Sequence, residues 1–69
     1  MKLSARNQLK GTVTSVRTDG LMAEVTVAIG DQEITSIVTR TSAERLGLAS
    51  GDDVTVVIKS TEVMLAKSS

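Results

Sequence analysis

The chain has 69 residues and contains no Cys, His, Phe, Tyr or Trp. Four Lys, four Arg, four Asp and four Glu cancel to a formal charge of zero. These facts exclude a disulfide framework and a Cys- or His-based metal site. They also remove the aromatic platforms and basic groove on which single-stranded nucleic-acid binding by small barrels relies.

A chain of this length forms one domain, residues 1–69, and buries only about 60% of its unfolded surface. Its core must come from nine Val, four Ile, six Leu and three Met. A small aliphatic core without covalent staples needs burial against partner subunits, so an obligate oligomer is expected. No apolar run approaches the roughly 20 residues that span a bilayer. Met1-Lys2 leads straight into polar residues, with no signal-peptide pattern, so a soluble cytoplasmic protein is expected.

Ser4-Ala5-Arg6-Asn7-Gln8 lies ahead of the first expected strand and groups a hydroxyl, a guanidinium and two carboxamides. Arg offers five N–H donors and keeps its charge, and Ser and Asn add short-range donors, a set that suits a small oxyanion. The same five residues also fit a solvated tail.

Leu9 to Arg17 is rich in β-branched residues and reads as the first strand. The apolar alternation through Leu9, Gly11 and Val13 slips by one at Val16, which predicts a bulge or bend near Thr14-Ser15. Gly11 within a strand suggests strong coiling or the close approach of another backbone. Thr18-Asp19-Gly20 is a turn signal. Leu21 to Ile29 follows with period two, Leu21, Ala23, Val25, Val27 and Ile29 on one face. Gly30-Asp31 closes a second hairpin, and Gln32 to Arg40 forms the third strand. Ile37, on the face opposite Ile34, Ser36 and Val38, suggests that this surface too is covered by another subunit.

Thr41-Ser42-Ala43-Glu44 has the form of a capping box, with Thr41 as N-cap. Gly47 is the C-terminal stop, and Leu48 packs back on the turn. Val54 to Lys59 is the fourth strand, Ser60-Thr61 a kink, and Glu62 to Ala66 the fifth strand. This order predicts an all-β, five-stranded Greek-key barrel of the OB type, with one short helix between strands 3 and 4. An SH3-like barrel is the alternative.

Nucleophilic and general-base catalysis lack their usual residues, so no enzymatic activity is expected. Asp52-Asp53 reads as turn chemistry, since a metal would need more convergent oxygens. Anion-binding groups occur in three separated places. These are Arg6 with Ser4 and Asn7, the start of the helix with Thr39, Ser42 and Ala43, and Lys59 at the end of the fourth strand. Unpaired N–H groups at a helix start favour negative charge, and two cations would balance a dianion. Each piece alone is equally well an ordinary surface feature.

Taken together, three segments resemble the molbindin (Mop) family. They are Ser4-Ala5-Arg6-Asn7-Gln8-Leu9-Lys10-Gly11, the stretch Thr39-Arg40-Thr41-Ser42-Ala43-Glu44-Arg45-Leu46-Gly47-Leu48, and Gly51 to Met64 with its Ile58-Lys59-Ser60-Thr61-Glu62-Val63-Met64. The resemblance covers essentially the whole chain in order. It implies an OB-like barrel that binds molybdate or tungstate as a ligand without an organic cofactor. It further implies a hexamer built as a trimer of dimers, with pockets between subunits. The implied donors are Ser4, Arg6, Thr39, Ser42 and Lys59, with backbone N–H groups near Ala5, Asn7, Ala43 and Ser60 as weaker candidates. The expected role is intracellular molybdenum storage and homeostasis. The alternative is a molybdate-responsive regulatory module acting on a partner protein. No nucleic acid or membrane partner is expected.

Overall fold

Two glycine turns fold the first half of the chain into a meander. In a computed structural model, which describes residues 6–68, strands β1 (Asn7–Asp19), β2 (Met22–Ile29) and β3 (Gln32–Thr39) are joined by the two-residue loops Gly20-Leu21 and Gly30-Asp31. Gly20 and Gly30 have φ of 62° and 63°, and among the described residues no non-glycine has positive φ. That sign pattern is the one a type II′ hairpin turn demands, with Gly first. Helix α1 (Arg40–Leu46) and strand β4 (Asp53–Ile58) follow, then a 3-10 turn, Ser60–Glu62.

The strands form one antiparallel sheet in the order β3-β2-β1-β4. The expected slip in β1 is present. Val13 pairs with Val27 and Ser15 with Thr26, so Thr14 is the extra residue of a bulge. The loop before β4 holds this bulge in place. Gly51 N–H donates to the Val13 carbonyl at 2.7 Å, Val13 N–H to the Asp52 carbonyl at 2.8 Å, and the Ser50 hydroxyl to the Thr14 carbonyl at 3.0 Å. A bulge sharpens the local twist, and the sheet curls around a small core.

That core is almost entirely valine. Val13, Val25 and Val27 are buried together, with Val16, Ile29, Val38, Leu48, Val54 and Val56 packed on them. The period-two face of β2 therefore points inward as expected. Leu21 does not, because it occupies the hairpin tip and is 85% exposed. Gly11 sits where a backbone does approach closely. A Cβ there would lie 2.6 Å from the Ala28 carbonyl oxygen and 2.6 Å from Val27 Cγ1.

Three sequence expectations need correction. β1 begins at Asn7, not Leu9, because its first residues pair with the end of β4, Asn7 with Ile58 and Gln8 with Val57. Asn7 and Gln8 thus belong to the strand. The helix begins at Arg40, with Thr39 and not Thr41 as its N-cap. Thr39 is the last residue of β3, still paired with Met22, and keeps the extended backbone an N-cap needs (φ −69°, ψ 148°). Finally, Glu62 to Ala66 forms no strand. Four strands are present among the described residues, and 63–68 belong to none. The curled antiparallel sheet with one short helix is otherwise the expected architecture.

The far end of the helix matches expectation. Gly47 is left-handed (φ 65°, ψ 33°), and Leu48 N–H donates to the Ala43 carbonyl at 3.1 Å, closing the helix in the manner of a Schellman turn. Glu44, freed from any capping role, pairs with Arg40 one turn earlier (3.5 Å) on the exposed surface.

Candidate functional site

β1 is long, and the candidate site residues gather at its two ends. At its start, the antiparallel register Asn7–Ile58 carries the residues just outside it, Arg6 and Lys59, to the same corner of the sheet. Continuing that register by one step sets Arg6 alongside Lys59. Both are exposed, and among the described residues neither has an ion-pair partner. Like charges set opposite each other across a strand pair repel. A corner built this way favours an anion between them. Ser60, which opens the 3-10 turn, adds an exposed hydroxyl and a backbone N–H at the same corner. Ser4 and Ala5 lie outside the described residues.

At the other end, Asp19 pairs with Met22 and Met22 with Thr39. The Thr39 hydroxyl oxygen accepts the Ser42 backbone N–H at 3.1 Å and donates its proton to Ser42 Oγ at 2.7 Å. The Arg40 N–H goes to the Leu21 carbonyl at 2.8 Å. The α-helical pattern sends the Ala43 N–H to the Thr39 carbonyl, and the Ala43 side chain is buried. In this arrangement the backbone donors of Ser42 and Ala43 are already engaged. The Ser42 hydroxyl, which accepts from Thr39, has its own proton to offer outward. The signal for this closed pair was the Thr39-x-x-Ser42 spacing, N-cap to third helical position. It was masked by the equally plausible Thr41-x-x-Glu44.

The fold therefore brings Arg6, Asn7, Lys59 and Ser60 together, and separately Thr39, Ser42 and Ala43. It does not bring the two groups together within one chain. They sit at the two ends of β1, twelve residue steps apart along the strand. The cations at the Thr39 end have acidic neighbours, Arg17 facing Glu24 in register and Arg40 pairing with Glu44. Among the described residues neither Arg6 nor Lys59 forms an ion pair, although Glu62 lies one 3-10 turn beyond Lys59.

Asp52 and Asp53 do what turn carboxylates do. Asp52 Oδ2 accepts the Ala49 N–H at 2.9 Å, and Asp53 Oδ1 accepts the Thr12 hydroxyl at 3.4 Å. Among the described residues no three His, Cys, Asp or Glu side chains converge on a metal-sized site, and no helix is long and apolar enough to cross a membrane.

Comparison with known proteins bears on what such donors hold. Residues 3–65 match the family model of the TOBE domain. The chain is 48% identical over 66 residues to molybdenum-pterin-binding protein 1 of Clostridium pasteurianum, covering 94% of this chain and 97% of that protein. Its fold superposes with a TM-score of 0.93 on a molybdate-binding protein from Sporomusa ovata, at 34% identity, covering 97% of this chain and all of the other. It superposes with a TM-score of 0.80 on ModG, a cytoplasmic molybdate-binding protein solved with molybdate bound, at 47% identity, covering 86% of this chain and 43% of ModG.

Proposed function

We propose, from the premise that this chain belongs to the TOBE-domain family of small molybdenum-binding (Mop) proteins, that it binds molybdate or tungstate reversibly and stores the anion in the cytoplasm. The family is one of binding domains and not of enzymes, and its relatives bind molybdenum. The one observation that carries the reading for this chain is the Asn7–Ile58 pairing, whose next step brings together two cations, Arg6 and Lys59, that form no ion pair among the described residues.

The chemistry is electrostatic and reversible. Molybdate is a tetrahedral dianion that carries no proton at neutral pH. It asks for two positive charges and a shell of donors. Arg6 and Lys59 supply the charge. Asn7 and Ser60 supply donors at that corner, Ser4 and the backbone near Ala5 are proposed as further donors, and Thr39 and Ser42, beside the buried Ala43, form the second group. Within it Ser42 Oγ presents the free proton and Thr39 holds it in position. Charge-assisted hydrogen bonds of this kind are about twice as strong as neutral ones.

A closed pocket requires a second chain. Arg6, Lys59, Ser60 and Thr39 are all exposed in one copy, and exposed charges hold an ion weakly because water screens them. The two donor groups lie at opposite ends of β1, which fits one anion shared across an interface. We read the assembly as a hexamer, a trimer of dimers, with residues 1–69 as one domain in each copy. Anion bound between subunits stabilises the assembly by mass action.

Thermal unfolding with and without molybdate tests this directly. Molybdate and tungstate each raise the Tm of the wild-type protein. The shift disappears in Arg6→Ala and in Lys59→Ala. A Tm unmoved by either anion refutes the proposal.

A further inference from the structure

Arg40 lies in sequence between Thr39 and Ser42, where a further cation would suit an anion. Its guanidinium is engaged elsewhere. Nε lies 3.5 Å from Glu44 Oε2, one helical turn on, and both side chains are more than half exposed. A carboxylate this near offsets the positive charge, and an exposed pair of this kind contributes little to stability.

The backbone N–H of Arg40 has a different partner. The first N–H groups of a helix find no acceptor within it. Arg40, the first residue of α1, gives its N–H to the Leu21 carbonyl at 2.8 Å. That bond continues the β2–β3 ladder one step past its last register pair, Met22 with Thr39. β3 is an edge strand, so β2 holds Thr39 from one side only, and the chain leaves the sheet directly after it. With Arg40 tethered, Thr39 lies between two fixed residues, since Val38 pairs with Ala23. It keeps the extended backbone from which its hydroxyl reaches both the N–H and Oγ of Ser42. The anchor is itself well held. Leu21 sits in the two-residue loop that Gly20 turns at φ 62°, beside the paired Asp19 and Met22.

We propose that Arg40 is a positioning residue for anion binding through its backbone N–H, anchored by the Leu21 carbonyl, and not through its guanidinium. The tip of the β1–β2 hairpin thereby sets where Ser42 Oγ presents its proton. The effect on affinity rests on the anion reading. The effect on the geometry of Thr39 and Ser42 does not.

Proline at position 40 removes this N–H while suiting the local backbone. Proline is favoured at the first helical position, and Thr39 already has the extended conformation that the residue before a proline prefers. The rest of α1 keeps its own supports, the buried Ala43 and the bond from the Leu48 N–H to the Ala43 carbonyl. Arg40→Pro is compared with Arg40→Ala, which loses the guanidinium but keeps the N–H. Calorimetric titration with molybdate is expected to show Arg40→Pro binding about fivefold more weakly than Arg40→Ala, the order of one hydrogen bond. Equal, measurable affinities overturn the inference. In the ligand-free proteins, amide hydrogen exchange at Ser42 is expected to be faster in Arg40→Pro than in Arg40→Ala, with exchange at the core residue Val27 unchanged. Equal exchange at Ser42 overturns the inference whatever the titrations show. If wild type and Arg40→Ala both fail to bind molybdate, the anion reading falls, and exchange at Ser42 still decides the hairpin contact. Should Arg40→Pro not fold, an ester in place of the peptide bond between Thr39 and Arg40, introduced by chemical synthesis, removes the N–H with the side chain kept. Faster Ser42 exchange than wild type supports the inference, and wild-type exchange overturns it.

Discussion

Asn7 and Ile58 face each other across β1 and β4, and one further step of that register sets two cations distant in sequence, Arg6 and Lys59, opposite each other. Without a bound anion their mutual repulsion works against the pairing that positions them. Removing one charge therefore has opposite effects on stability and on binding. Lys59→Ala leaves the ligand-free Tm unchanged or slightly higher, and abolishes the increase caused by molybdate. Differential scanning calorimetry of Lys59→Ala and wild type with and without molybdate checks this. A Lys59→Ala protein that keeps the full molybdate shift contradicts the role given to Lys59.

Gly11 is a packing requirement rather than a turn requirement. A methyl group there meets the Ala28 carbonyl and Val27 Cγ1 at 2.6 Å, the first a backbone atom that cannot swing away. Gly11→Ala is expected to destabilise the fold by about 1–3 kcal/mol, the usual range for overpacking. Urea titration followed by circular dichroism measures it. In a domain this small each kcal/mol lowers Tm by about 4–8 °C. A neutral Gly11→Ala means that β1 and β2 separate more readily than their packing indicates.

Thr39 and Thr41 compete on paper for the same job, and the structure assigns it to Thr39. Thr39→Ala removes the acceptor for the Ser42 N–H and is expected to cost about 1 kcal/mol, the usual value of an N-cap. Thr41→Ala, already inside the helix, should be close to neutral. The pair of substitutions, compared by chemical denaturation, separates the two assignments. Ser42→Ala keeps the backbone half of the cap. Its effect is expected on molybdate affinity and not on stability.

Most of the fold can be read from period and punctuation. Ala23, Val25 and Val27 repeat every second residue and are all buried. Gly20 and Gly30 turn the chain where they were expected to, and the slip between Val13 and Val16 is the bulge at Thr14. What was misread depends on pairing, which one segment cannot show. Asn7 looks like tail until Ile58 is beside it. Thr39 and Thr41 are chemically the same residue, and only the length of the β2–β3 ladder decides which is last in the strand. Val63 to Leu65 has a strand's pattern but pairs with none of the four strands of its own chain. The candidate site is legible as residue types, Arg6, Lys59, Thr39 and Ser42. Its division between two ends of β1 is not, because it follows from sheet order.

Loss of residues 1–8 removes Arg6 together with the first two rungs of the β1–β4 ladder. A chain beginning at Leu9 is expected to lose molybdate binding and to assemble less stably, as seen by calorimetric titration and sedimentation velocity. A chain beginning at Leu9 that binds molybdate as wild type does would place the site elsewhere.

The most direct measurement is isothermal titration calorimetry of the wild-type protein and of Arg6→Ala with molybdate, tungstate, sulfate and phosphate. Saturable binding of molybdate and tungstate is expected for wild type and is lost in Arg6→Ala. Phosphate binds more weakly, because it retains a proton at neutral pH and a pocket of donors offers that proton few acceptors. Absence of saturable molybdate or tungstate binding to the wild-type protein, or binding that Arg6→Ala leaves unchanged, would contradict an anion site built on the Arg6–Lys59 corner.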